Sequence, residues 1–231
     1  MSRPDLVLDA YPALHPAGGI GRYVRDLIAA LRAASDAPSY RLAYPMPWRE
    51  VAQARLRPGE RLEIPMGWRR LRVACVLGAR TGLPFDALLG HPRVFHSPLG
   101  YGPVLNAART ITTVHDLYAL THPEWHPART VFFMQQTLPV VARRSTRVIV
   151  MSDHVRRDVV RELGVSPERV TVIPLPVGHE FRPVPRDEAR AHVHRRFGLS
   201  GEYVLHVGTL EPRKNHVTLF AAYERMRRDG F

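Results

Sequence analysis

The chain holds a single cysteine, Cys75, so no disulfide can form within it, and a lone thiol among 231 residues reads as a small buried apolar side chain in a reducing compartment. It also lacks any uncharged apolar run of the ~18 residues that a membrane-spanning helix needs. The opening "MSRPDLVLDA" carries Asp5 and Asp9 inside its apolar stretch, which excludes a secretory signal and leaves a first β-strand. A cytoplasmic location is therefore expected. Acids are scarce beside bases: 21 Asp and Glu against 33 Lys and Arg give a formal charge of +12. Such a surplus suits anionic partners, among them nucleotides and acidic lipid surfaces, unless it is only a solvated surface. Arginines recur along the whole length, in "WRRLR", "ARRSTR", "VRRDVVR" and "HRRF", without gathering into one arm, so no nucleic-acid partner is expected. Lysine is almost missing, and the sole one is Lys214.

What is present alternates between strand and helix patterns, the signature of an α/β fold with a mostly parallel sheet. "DLVLDA", "YRLAYPMP", "VFHSP", "TITTVHD", "TRVIVMS" and "ERVTVIP" read as strands. After "HPAGG", Ile20, Tyr23, Val24, Leu27, Ile28 and Leu31 recur at steps of three and four, an amphipathic helix that turns Arg22, Arg25, Asp26 and Arg32 toward water. "GWRRLRVACVLGARTG" reads as a second helix and "ARTVFFMQQTLPVVARRS" as a third, kinked by Pro139. Ser152 caps a further helix that Gly164 ends. From Pro174 to Ser200 prolines, charges and histidines take over, which marks an interdomain linker carrying one short helix. Beyond it "EYVLHVG" reads as a strand and Leu219, Ala222, Tyr223 and Met226 as a helix. The expected organisation is a Rossmann-like domain over residues 1–173, a linker over 174–200, and the first β-α unit of a second Rossmann-like domain over 201–231.

Three stretches carry residues suited to chemistry. In "HPAGGIGRY" the glycines of a strand-to-helix turn let backbone approach a ligand, and unpaired N–H groups at the helix start suit an anion; a plain tight turn accounts for the residues equally well. As a dinucleotide fingerprint it fails, because Val24 stands where a third glycine belongs and the second strand does not end in an acid. "TTVHDL" puts His115 and Asp116 at the carboxyl end of a strand, where parallel sheets place ligands; His115 can exchange a proton or bind a sugar hydroxyl, or serve as a structural hydrogen-bonder. Asp116 orients it or caps the next segment. "VGTLEPRKN" places Arg213 and Lys214 at the start of a helix, where cations sit poorly unless an anion or an acid such as Glu211 lies alongside. His122, His126, His192 and His194 lack ligand spacing for zinc and read as loop histidines.

Together, "GGIGRYVRDLIAAL", "TVHDLYALTHPEW", "VIVMSDHVRRDVVRELGVSPERVTVIPLPV" and "YVLHVGTLEPRKNHVTLFAAYERM" resemble, in order, the successive signatures of the retaining family 4 glycosyltransferases of the GT-B fold. The resemblance implies two Rossmann-like domains facing a cleft, with acceptor mainly on the first and nucleotide-sugar donor mainly on the second. It implies sugar transfer with retention from a nucleotide-diphosphate sugar to a glycan, a lipid-linked acceptor or a small molecule. By position, Gly18 and Gly19 match the loop near the donor diphosphate, Arg213 and Lys214 the basic pair that neutralises it, and His115 the histidine near the transferred sugar, with Asp116 beside it; Arg22 falls on the acceptor side. No metal is expected, nor any cofactor besides the donor substrate, and peripheral contact with an anionic membrane fits the charge. The family's C-terminal glutamate pair has no counterpart, so the expectation is a truncated glycosyltransferase, inactive by itself. The alternatives are an inactive anion- or glycan-binding module or a subunit completed by another chain. A nicotinamide-dependent oxidoreductase is disfavoured by the failed fingerprint.

Overall fold

The computed structural model describes residues 3–14, 18–46, 57, 59–178 and 180–230. It divides into two compact units, Met1–Leu175 and Pro176–Phe231.

The first unit is built on seven parallel strands: β1 (Leu6–Asp9), β2 (Tyr40–Met46), β3 (Arg61–Gly67), β4 (Val94–Ser97), β5 (Arg109–Val114), β6 (Arg147–Val150) and β7 (Val170–Val172). Their order is β3-β2-β1-β4-β5-β6-β7, so the chain winds outward from β1, crosses back to β4 and winds the other way. This is the Rossmann-like α/β arrangement read from the alternation, with "DLVLDA", "TITTV" and "RVIVMS" as parallel strands. Helices α1 (Gly19–Ala33), α2 (Trp68–Thr81), α3 (Tyr118–Thr121), α4 (Ala128–Arg144) and α5 (Asp153–Leu163) connect them. The sheet is buried on both faces: Val7, Ala43 and Phe95 pack with Leu71 and Cys75 of α2, while Leu8 and Leu42 pack with Val24 and Ile28 of α1. Burial on both sides requires nearly continuous apolar strands, as "LVL" and "VIV" are.

Local signals behave as their chemistry dictates. Ser152 Oγ accepts the Val155 N–H at 3.3 Å, and Gly164 closes α5 in the left-handed conformation at φ 65°. Pro139 lies inside α4. β3 has no counterpart among the expected strands; its alternation of Leu62, Ile64 and Met66 was masked by Pro65 and by charges on both sides. Arg32, expected toward water, instead turns back at the end of α1 and pairs in bidentate fashion with Glu60, next to β3.

The second unit departs further. Residues 202–208, expected as a strand, form none, because a strand exists only through ladder bonds to a neighbour and this unit has no other strand among the described residues. The segment read as a linker with a short helix carries a twelve-residue helix, α6 (Arg186–Phe197), none of whose residues is buried. The expected last helix forms as α7 (His216–Arg228), preceded by a single 3₁₀ turn at Pro212–Lys214.

Candidate functional site

In an open parallel sheet ligands collect outside the carboxyl ends of the strands where the order reverses, here between β1 and β4. The turn after β1, the residues after β4 and those after β5 all reach this edge.

Gly18 lies before α1 at φ 105° and ψ 148°, a region that only glycine occupies without strain. Its carbonyl accepts the Arg22 N–H at 3.3 Å, and no side chain caps the helix. The N–H groups of the first turn therefore lack intrahelical partners, as an anion site needs. Gly19 has an ordinary φ, and a Cβ built on it would meet nothing within 4 Å. His15, Pro16 and Ala17 of the same motif lie outside the described residues. Arg22 pairs with Asp26 at 3.5 Å along α1.

His115 is the first residue after β5. Its Nε2 donates to the Pro98 carbonyl at 2.9 Å; a carbonyl can only accept, so Nε2 carries the proton and Nδ1 is the acceptor nitrogen of the neutral ring. Burial lowers the His115 pKa, against the opposing pull of the Pro98 bond and the Asp116 charge. The Tyr23 ring of α1 meets His115 edge-on, with centroids 5.3 Å apart. Tyr23 Oη in turn lies 3.3 Å from Thr113 Oγ1, which lies 2.8 Å from His96 Nε2. His96 and Thr113 are buried, and burial, with His115 second, pushes the His96 pKa down to about 4. Both imidazoles are thus uncharged at neutral pH. Asp116 is exposed, its Oδ1 accepts the Tyr118 N–H at 3.1 Å in the turn before α3, and it acts on His115 through charge.

The structure therefore brings His115 together with the helix that Gly18 and Gly19 open. Of the residues that link them, Tyr23 read from the sequence only as an apolar helix-face position, and Thr113 and His96 were not singled out. Only the register of three elements brings a tyrosine, a threonine and a histidine spread over more than seventy positions to one point.

Arg213 and Lys214 belong to the second unit. They sit in the 3₁₀ turn, followed by Asn215 in the left-handed conformation at φ 50°, and so precede α7 instead of occupying its first turn. Arg213 Nε donates to Glu211 Oε2 at 2.6 Å. Bonds from Thr209 and Arg213 hold the Glu211 carboxyl below its ordinary range. The acid alongside the basic pair, one of the two conditions set by the sequence, is present. Among the described residues no three His, Cys, Asp or Glu side chains come together as a metal site.

The sequence model of Glycosyltransferase Family 4 matches residues 17–181, from the glycine turn through β7. The chain belongs to glycosyltransferase family 4. Its seven-stranded parallel α/β sheet is consistent with the N-terminal Rossmann-like domain of a GT-B glycosyltransferase. An Escherichia coli protein, "O-antigen chain mannosyltransferase B", is 25% identical over 233 aligned residues, which cover 95% of this family 4 chain and 59% of the relative's length. No helix among the described residues is long and apolar enough to cross a membrane.

Proposed function

We propose that this family 4 protein transfers a sugar, with retention, from a nucleotide-diphosphate sugar to a glycan or lipid-linked acceptor. The observation that carries this reading is the family match over residues 17–181 together with His115, a neutral histidine at the carboxyl edge of the sheet whose Nε2 is committed to Pro98. In the proposed reaction the bond from sugar C1 to the leaving diphosphate oxygen breaks and C1 becomes oxocarbenium-like. The acceptor hydroxyl oxygen bonds to C1 on the same face, and its proton passes to the departing phosphate oxygen. His115 Nδ1 accepts a hydrogen bond from a hydroxyl of the transferred sugar. The α1 N-terminus at Gly18 and Gly19 offers its N–H groups to the diphosphate, and Arg213 and Lys214 are proposed, within the second unit, as phosphate-binding cations, a task a metal performs elsewhere. Arg22 lines the acceptor side, and the basic surface rests against anionic lipid.

Mannose is the first donor sugar to test, because the Escherichia coli relative is named a mannosyltransferase. The complete gene product is incubated with GDP-mannose and a panel of UDP- and GDP-sugars, with polyprenyl-linked oligosaccharides as acceptors and with and without EDTA. A product of unchanged anomeric configuration, formed equally in EDTA, supports the reading. Inverted product or a strict metal requirement overturns the mechanism, and glycan binding without turnover favours a binding module.

A further inference from the structure

β1 ends at Asp9, on the strand where the sheet order reverses. Val7 belongs to the core under α2 and Leu8 to the core under α1, so strand alternation puts Asp9 on the α2 face, opposite to His115's partner Tyr23. Its charge raises the pKa values of Tyr11 of its own turn, Cys75 of α2 and Tyr101 after β4, and, from across the sheet, that of Tyr44, which packs in the core under α1. Arg72 of α2 acts on Tyr11, Cys75 and Tyr101. Among the described residues the Asp9 carboxyl has one hydrogen bond, the Tyr11 N–H to Oδ1 at 3.1 Å, and no cation beside it. Burial pushes its pKa up to about 7.

The same fold treats its structural acid differently. Glu60, at the opposite end of the sheet beside β3, receives Arg32 twice, the Tyr40 hydroxyl at 2.7 Å and the Arg57 N–H at 3.0 Å, and its pKa falls to about 2. A buried carboxyl kept for stability is satisfied in this way, whereas Asp9, half-buried at the edge where parallel sheets collect ligands, has a single protein donor among the described residues and room to accept a further bond. The surroundings of Asp9 indicate from what. Tyr11 stacks on Trp68 with ring centroids 4.4 Å apart, Trp68 meets Tyr101 at 5.9 Å, and Trp68 and Tyr101 are only partly buried. Ring faces beside a hydrogen-bond acceptor suit an uncharged polyol, with C–H faces against the rings and hydroxyls to the acid. A diphosphate would be repelled there.

We propose that the Asp9 carboxylate accepts a hydrogen bond from a hydroxyl of the acceptor glycan, flanked by the Tyr11–Trp68–Tyr101 ring cluster. This rests on the sugar-transfer reading. It makes Asp9 an acceptor-binding residue on the α2 side of the sheet edge, distinct from His115 and the diphosphate-binding groups.

The test compares the complete wild-type protein with Asp9→Asn, which keeps the oxygen that accepts from Tyr11 and removes the charge. Acceptor kcat/KM is expected to fall roughly 10- to 100-fold, the loss of one hydrogen bond to a charged group, while the KM for the nucleotide sugar stays unchanged. In the wild type, acceptor kcat/KM should rise with pH through about 7, as the carboxylate forms, and this rise should vanish in Asp9→Asn. Tyr11, Tyr44, Cys75 and Tyr101 all titrate above their ordinary values and stay neutral across that window. The thermal midpoint of Asp9→Asn should be higher than wild type at pH 8, because an acid with a raised folded pKa penalises folding once pH exceeds its unfolded value. Wild-type transfer with an unchanged acceptor kcat/KM in a folded Asp9→Asn overturns this proposal alone. If Asp9→Asn does not fold, a flat wild-type acceptor profile through pH 7 overturns it. No transfer by the wild type overturns the transferase reading and this proposal with it.

Discussion

Gly18 and Gly19 are adjacent yet set different conditions on their positions. Gly18 sits at φ 105°, so Gly18→Ala should destabilise the first unit by about 1–3 kcal/mol, read from urea unfolding. Gly19 has an ordinary φ and open space around it, so Gly19→Ala should not destabilise the fold and should add up to about 1 kcal/mol. A loss of diphosphate affinity in Gly19→Ala, measured by calorimetry, therefore reports close approach of backbone to ligand; equal affinity would leave the turn without a donor role. Lys214 is the sole lysine in a chain that otherwise uses arginine, and it is exposed at the end of the 3₁₀ turn. In the complete protein Lys214→Ala should reduce kcat by about 10²–10³, or about 2.7–4 kcal/mol, the effect of deleting one preorganised donor. Lys214→Arg should also lose activity, because a planar fork does not replace a compact ammonium. Unchanged turnover in both variants would remove Lys214 from the site.

At the scale of elements, α1 is tied to β4 and β5 by the Tyr23–Thr113–His96 chain. Thr113 is fully buried, so Thr113→Val leaves His96 Nε2 and Tyr23 Oη without their partner and should cost about 1–3 kcal/mol. The pH dependence has a definite sign. His96 binds its proton at about 4 when folded, below its ordinary 6.5, so the unfolded chain takes up protons first on acidification. The stability it contributes is complete above pH 6.5 and lost as pH falls toward 4, by of order 3 kcal/mol. His115 acts in the same direction. Urea midpoints between pH 7 and pH 4 should decline in the wild type and decline less in His96→Gln; parallel declines would mean that other groups set the acid limit.

At the scale of the molecule, the charge of +12 is spread over both units. No residue of α6 is buried, only Ala189 and Val193 on one face are half-covered, and the helix carries Arg186, Arg190, Arg195 and Arg196. Contact with anionic lipid made by such a surface is electrostatic and reversible. Sedimentation with phosphatidylglycerol vesicles should be strong at low ionic strength and should weaken steeply as salt rises through the range where the Debye length falls from about 30 Å to about 8 Å. Phosphatidylcholine vesicles should not bind. Salt-independent binding would instead point to apolar insertion.

Strand identity and helix limits were legible wherever one physical rule governed the residues: apolar runs for strands buried on both faces, three-and-four spacing for α1, Ser152 and Gly164 for the ends of α5. The glycine turn and His115 could be named because a strand-to-helix turn and a strand end are local features. What needs a partner distant in sequence could not be read this way. Residues 202–208 are apolar enough for a strand, but a strand is a relation between two segments and its neighbour was assumed. Arg32 looked solvent-facing until Glu60 came beside it, and Tyr23 looked like an ordinary apolar face position until sheet register set it against His115 and Thr113. Asp9 and Glu60 are both acids in the sequence. Hydrogen bonds, first those from Arg32, hold Glu60 at about 2, whereas burial, opposed only by the Tyr11 N–H, raises Asp9 to about 7, and folding alone decides which acid has its partners.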